Sequence, residues 1–232
     1  MSTFASLGWP STTGWHLWLV VGAACVGYAV GVRLSRDLRD AAYRIDDETS
    51  APLPRARWLV SPAVGVCWGL LAWRLGERHG GLDLPAYLVL ATVGVALARI
   101  DADVHRLPAG LTYPAAVVVA GLLAVSSALT GNWAALVHAL VTTGMGAVVY
   151  VVLVLLSGGQ FGWGDVVLGT ILAGALGYLS PVLPWLGILL AFVFASVVSV
   201  VGMVTGRITL KSRVAFGPYL LVGALTAILL VG

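Results

Sequence analysis

Most of this chain is taken up by continuous apolar runs, each close to the length that crosses a bilayer. Soft-edged spans fall at about 15–32, 58–75, 85–101, 112–129, 134–156, 165–180, 183–204 and 216–231. The apolar residues form unbroken blocks rather than the stripes of an amphipathic helix, so water cannot be the solvent for their outer faces. With 59% hydrophobic and only 10% charged residues, an ordinary soluble domain is excluded. The expected fold is all-α: a polytopic integral membrane protein with about eight transmembrane helices, in a single membrane-embedded domain over 1–232. Pro181 and Pro184 break the sixth run from the seventh. Were that break to fail, the count would be seven.

Lysine and arginine set the orientation. With the N-terminus outside, the inner loops are 33–57, 102–111, 157–164 and 205–215. Together with Arg99 at a span edge they hold 11 of the 13 basic residues, leaving only Arg74 and Arg78 outside. Loop 33–57 is the short cytoplasmic connection and carries six Arg and five acidic residues. Leu34, Leu38, Ala42 and Ile45 recur there at helical spacing among Arg36, Arg39 and Arg44, which suggests an interfacial amphipathic helix.

The remaining charges are scarce enough to read singly. Asp165 is the only acidic residue in the last 129 positions, within Gly162-Trp163-Gly164-Asp165 at the head of an apolar run. Asp101 closes another run, in Arg99-Ile100-Asp101-Ala102-Asp103. A carboxylate at the end of a membrane span is costly unless it is paired, solvated or used. Asp101, Asp103 and Asp165 all fall at the cytoplasmic boundary. Asp165, Gly169, Ala173 and Gly177 share a helix face, as do Ala91, Gly94, Ala98 and Asp101. Two such small-residue ladders would let their helices pack with the two carboxylates together. Asp103 lies on nearly the opposite face from Asp101 and is expected at headgroups or against a nearby base. A close carboxylate pair shares a proton and can activate a water between its members, one Asp taking a proton from water while the other gives one to a carbonyl oxygen. The plain alternative for Asp165 is a helix N-cap, and for Asp101 an interfacial residue at a span end. His105 and Arg106 read as headgroup contacts able to tune the pair. The tryptophan between two glycines would let backbone approach a substrate strand closely.

Cys25 and Cys67 stand alone in separate runs, so neither a zinc site nor a disulfide is expected. His16 and His138 have no sequence neighbour that would make them ligands. No metal and no cofactor is expected, and no nucleic-acid partner. Met1 to Trp15 lack the basic region of a secretory signal.

In three stretches, in order, the chain resembles the type IV prepilin peptidases, membrane aspartic proteases of the Gly-x-Gly-Asp class. Asp101-Ala102-Asp103-Val104-His105-Arg106-Leu107-Pro108 is similar to the family's first motif, an Asp followed seven positions later by Pro. Gly162-Trp163-Gly164-Asp165 with Leu168 resembles its Gly-x-Gly-Asp-x-x-Leu motif, and Ala215-Phe216-Gly217-Pro218-Tyr219 its late Phe-Gly-Pro stretch. The resemblance implies Asp101 and Asp165 as the catalytic pair, with Gly162, Trp163, Gly164, Asp103, Pro108, Gly217 and Pro218 supporting them or the substrate. It implies a precursor of a pilin or pilin-like subunit as partner, cut at the cytoplasmic face of the cell membrane between a short basic leader and a hydrophobic helix. Val167 stands where many members have Lys, and Ala109 where Asp or Asn is common. Larger members carry a cytoplasmic segment with paired Cys-x-x-Cys motifs and also methylate the new N-terminus. Only loop 33–57 occupies that place here, so methylation is not expected. The alternative is a proton- or cation-coupled transporter using the same carboxylates. A third reading is an assembly scaffold in which the Asp residues only cap helices.

Overall fold

The computed structural model describes residues 14–40, 43–44, 58–157, 162–206 and 215–231. Among them the regular elements are all helical: α1 (Gly14–Asp37), α2 (Val60–Leu75), α3 (Leu84–Val104), α4 (Ala109–Thr130), α5 (Trp133–Leu156), α6 (Trp163–Leu179), α7 (Leu183–Val204) and α8 (Gly217–Val231). Short 3-10 turns cover Leu38–Asp40 and Arg78–Gly81. Helices α1, α3, α4, α5 and α7 are long and apolar enough to cross a membrane, while α2, α6 and α8 are apolar but shorter. Large apolar side chains such as Trp18, Val117, Leu140 and Leu155 lie on the outside. A soluble protein does not expose apolar surface on this scale, so the chain is membrane-embedded.

Local chemistry fixes the helix ends. Asn132 caps α5 by accepting from the Ala135 N–H at 3.2 Å, while Gly131 ends α4 in the left-handed conformation. The break at Pro181 and Pro184 lies where the sequence sets it, with Ser180 extended between α6 and α7. Helix α1 runs through Asp37 into its 3-10 turn, so the first part of the expected interfacial helix continues the first span. Ala42 and Ile45 lie outside the described residues.

Three sequential pairs, α1–α2, α5–α6 and α7–α8, pack closely, and α3 joins them through α2, α4 and α8. Glycine makes each close approach possible. Gly31 lies against Ser61, Gly146 against Ala173, and Gly223 against Ala191.

At the end of the bundle where α3 begins, the fully buried Asp83 acts as a polar clasp. It receives His79 Nδ1 at 2.7 Å, faces Arg78 Nε at 3.3 Å and accepts from the Ser126 hydroxyl. Arg78 also donates to the Leu179 carbonyl at 3.1 Å. The α2–α3 connection is thereby tied to the ends of α4 and α6. Asp101 lies at the other end of α3.

Candidate active site

Helix α3 stops three residues beyond Asp101 because His105 turns into the left-handed region (φ 52°), its N–H bonding the Asp101 carbonyl at 2.9 Å. Pro108 is extended and opens α4, its carbonyl accepting from the N–H groups of Leu111 and Thr112. The Asp101 side chain is 4% exposed. Its Oδ2 accepts from the Gly217 N–H at 3.0 Å, at the first residue of α8. A Cβ on Gly217 would lie 2.8 Å from that oxygen, so only glycine lets α8 start this close. Pro218 follows at the second helical position, where a missing N–H costs nothing. The Phe216 ring packs on Phe192 of α7, centroids 5.1 Å apart, and steadies this turn.

Asp165 is the third residue of α6, and the extended Gly162 occupies the cap position. The plain alternative, a side-chain N-cap by Asp165, is not what is found: Gly162 holds the cap position, and the Asp165 N–H reaches the Gly162 carbonyl at 3.0 Å. The carboxyl leans on Gly162, where a Cβ would come within 3.3 Å of Oδ2. Gly164 serves a different contact, since a Cβ there would stand 2.8 Å from that of Leu107. The second glycine of Gly-x-Gly-Asp thus lets the head of α6 dock on the loop that follows α3. That docking brings Asp165, 8% exposed, within electrostatic reach of Asp101. Oδ1 of Asp165 is buried without a hydrogen-bond partner among the described residues. Trp163 points outward, 64% exposed.

The two ladders do not pack on one another. Gly94 of α3 faces Leu221 of α8, while on α6 Gly169, Ala173 and Gly177 face Tyr150, Gly146 and Thr142 of α5. The two carboxylates lie instead at helix ends that the Leu107 and Gly217 contacts hold in place, within electrostatic reach of each other. Sequence spacing identified the small faces correctly and gave them the wrong partners, because any helix accepts a groove of that kind.

Asp103 is held away from the pair. Arg44 grips it with Nε to Oδ2 at 3.0 Å and Nη2 to Oδ1 at 2.7 Å, and the Tyr43 hydroxyl donates to Oδ2 at 2.6 Å. Arg106 donates to the Tyr43 carbonyl at 2.6 Å. Of the two expected settings the nearby base is the one found. Burial, and then the Asp103 carboxylate, push the Tyr43 phenol up, so it remains a donor. This grip fastens Tyr43 and Arg44 to the end of α3, and His105 is close enough to act electrostatically on Asp101.

Sequence reasoning missed Tyr150, whose buried ring fills the notch at Gly169 and interacts electrostatically with Asp165. Spacing linked Gly169 to Asp165 but carried no sign of what fills the notch. It also missed the Arg44–Asp103 pair, whose separation of 59 positions leaves no local signal. Among the described residues no group of three or more His, Cys, Asp or Glu side chains gathers to hold a metal ion. Comparison with family models, with curated proteins and with solved structures returned no match to this chain.

Proposed function

We propose that this chain is a membrane aspartic endopeptidase that removes a short basic leader from pilin-like precursors. One observation carries the reading: two buried carboxylates, from the end of α3 and the head of α6, interact at one end of an apolar bundle with an oxygen still unpartnered. Both sit beside helix N-termini, of α8 and α6, whose dipoles favour negative charge. Two interacting buried carboxylates cannot both ionise cheaply, so in this reading the pair holds one proton and a water. The carboxylate member takes a proton as the water oxygen attacks the scissile carbonyl carbon. The protonated member gives its proton to the carbonyl oxygen. Collapse of the tetrahedral intermediate breaks the C–N bond: the amine nitrogen takes a proton from the pair, and one hydroxyl of the gem-diol returns its proton to the pair as the new carboxyl forms.

All eight helices would cross the bilayer, with the site at the cytoplasmic face, the side to which the Lys and Arg distribution of the sequence assigns the loops next to Asp101 and Asp165. Such a substrate needs room for its apolar segment. A groove of about 460 Å³ between α4, α5 and α6 begins at Val166 and Val167, directly after Asp165, and continues past Thr170 and Ala120. An apolar helix resting there would have its cytoplasmic end beside the pair.

The test is co-expression with a candidate precursor from a neighbouring pilin gene. Asp101→Asn and Asp165→Asn should each insert normally and leave the precursor uncut. Full cleavage by either variant would end the proposal.

A further inference from the structure

Three tyrosines are buried almost completely: Tyr87, Tyr150 and Tyr178. A buried phenol normally finds a hydrogen-bond partner. Tyr87 donates to the Ala175 carbonyl at 2.7 Å, and Tyr178 meets the Ser127 hydroxyl at 3.0 Å. Both partners are neutral and lie in the half of the bundle away from the carboxylates. Tyr150 is placed differently. The atoms nearest to where a Gly169 side chain would begin are Cζ, which bears the hydroxyl, and the two ring carbons beside it. Gly169 lies four residues after Asp165, so the two share a face of α6 about 5–6 Å apart. The phenol end of Tyr150 therefore stands one turn from a carboxylate whose Oδ1 is buried and unpartnered, and it is within that carboxylate's electrostatic reach.

We propose that Tyr150 is the positioning residue of the site: its hydroxyl donates to Oδ1 of Asp165 and holds the carboxyl so that Oδ2 faces the water shared with Asp101. A small rotation of either side chain closes the bond, as hydrogen bonds in empty active sites commonly tighten when the site is working. Gly217 gives Asp101 the corresponding anchor through its backbone N–H. Asp101 then has one oxygen fixed and one free, while Oδ2 of Asp165, which rests against the Gly162 backbone, keeps a second lone pair for the water. Gly169 has its own part in this arrangement, because any side chain there would drive the phenol out. The inference rests on the peptidase reading for its consequence in rate and on geometry alone for the bond.

Infrared difference spectroscopy on protein reconstituted in lipid bilayers tests the bond without reference to activity. Subtracting the Asp165→Asn spectrum from the wild-type spectrum isolates the Asp165 carboxyl band. Repeating the subtraction on a Tyr150→Phe background should move that band to higher wavenumber, since the carbonyl loses a donor. Phenylalanine keeps the ring in the Gly169 notch, so packing is preserved. Should Tyr150→Phe not accumulate in membranes, wild-type protein labelled with 3-fluorotyrosine, a stronger donor, should move the band to lower wavenumber. A band that stays in place under the perturbation applied overturns the proposal.

In the cleavage assay Tyr150→Phe should lower kcat about ten- to a hundredfold with little change in KM, as loss of alignment does. It should also displace the pH profile set by Asp101 and Asp165, which His105 flanks from the end of α3. Tyr178→Phe, which also deletes a buried hydroxyl, should leave kcat unchanged. Wild-type kcat and pH profile in Tyr150→Phe would refute the positioning role. A shifted band in a wild-type protein that cuts no precursor would leave the bond standing and remove the peptidase reading instead.

Discussion

Adding one methyl group at Gly217 should disable the site while leaving every acidic residue in place. In Gly217→Ala the new Cβ would stand 2.8 Å from Oδ2 of Asp101, 3.3 Å from Cγ and 3.5 Å from Cβ. Ordinary contact begins at 3.4 Å, so the oxygen or the start of α8 must retreat by about 0.6 Å. Neither moves freely. The carboxyl is held by the Gly217 N–H, and the turn before α8 is fixed by Phe216, whose carbonyl accepts from Tyr219 at 3.0 Å and Leu220 at 3.2 Å. Overpacking a well-filled contact costs about 1–3 kcal/mol, and a misplacement of about 1 Å in a catalytic group costs about a hundredfold in rate. The expected result is therefore a loss of about tenfold or more in the initial rate of precursor cleavage, with a modest loss of thermal stability. Gly121→Ala is the matched control, because nothing lies within 4 Å of a Cβ there. It should gain about 1 kcal/mol of helix propensity and cut normally. The assay is quantitative immunoblotting of precursor and mature forms over time, with enzyme levels in the membrane measured in parallel. Gly217→Ala cutting within twofold of wild type would show that the Gly217–Asp101 contact does not matter to the reaction.

Other consequences bear on the neighbours of the pair. Asp103→Asn loosens a two-pronged pair with Arg44 and should lower the thermal midpoint, yet retain substantial cleavage at a permissive temperature. A stable Asp103→Asn that cannot cut, beside an active Asp101→Asn, would reverse the assignment of the first acid. Ala120→Trp, on the exposed wall of the groove, should slow cleavage of the full membrane precursor about tenfold and spare a short peptide spanning the leader junction. Equal effects on both substrates would count against the groove as the seat of the apolar segment. The rate should follow a bell-shaped pH profile set by the pair as a unit, and a flat profile from acidic to neutral pH would refute the shared proton.

The helices were legible because each membrane span is a local event, written in about 20 consecutive residues and closed by Pro, Gly or Asn at its ends. Gly131-Asn132 and Pro181 to Pro184 are cases where one or two residues decide a boundary. Both carboxylates were legible for a related reason, since an acid at the end of an apolar run stands out against its surroundings. What surrounds them was less so. Arg44 reaching Asp103 and Tyr150 filling the Gly169 notch join distant parts of the chain. A ladder of small residues announces that some helix will come close without saying which. The interfacial helix expected for loop 33–57 shows the same limit, because an apolar stripe at Leu34 and Leu38 fits a lengthened first span equally well.

The glycines around the two acids follow from a single physical demand. A buried carboxylate needs donors, and in an apolar bundle backbone N–H groups left free at helix N-termini are the donors at hand. Bringing such an end within 3.0 Å of a side chain leaves no space for a Cβ on the approaching residue, which is what Gly217 meets at Asp101. Gly162 gives the Asp165 carboxyl the same freedom, and Gly164 lets α6 begin against Leu107 rather than a residue's width away. Replacing any one of these glycines moves a helix end, whereas replacing an Asp by Asn moves only a charge. The two kinds of variant should therefore fail differently. Asp101→Asn and Asp165→Asn should keep wild-type thermal midpoints and lose the reaction, while the Gly variants should lose some of both.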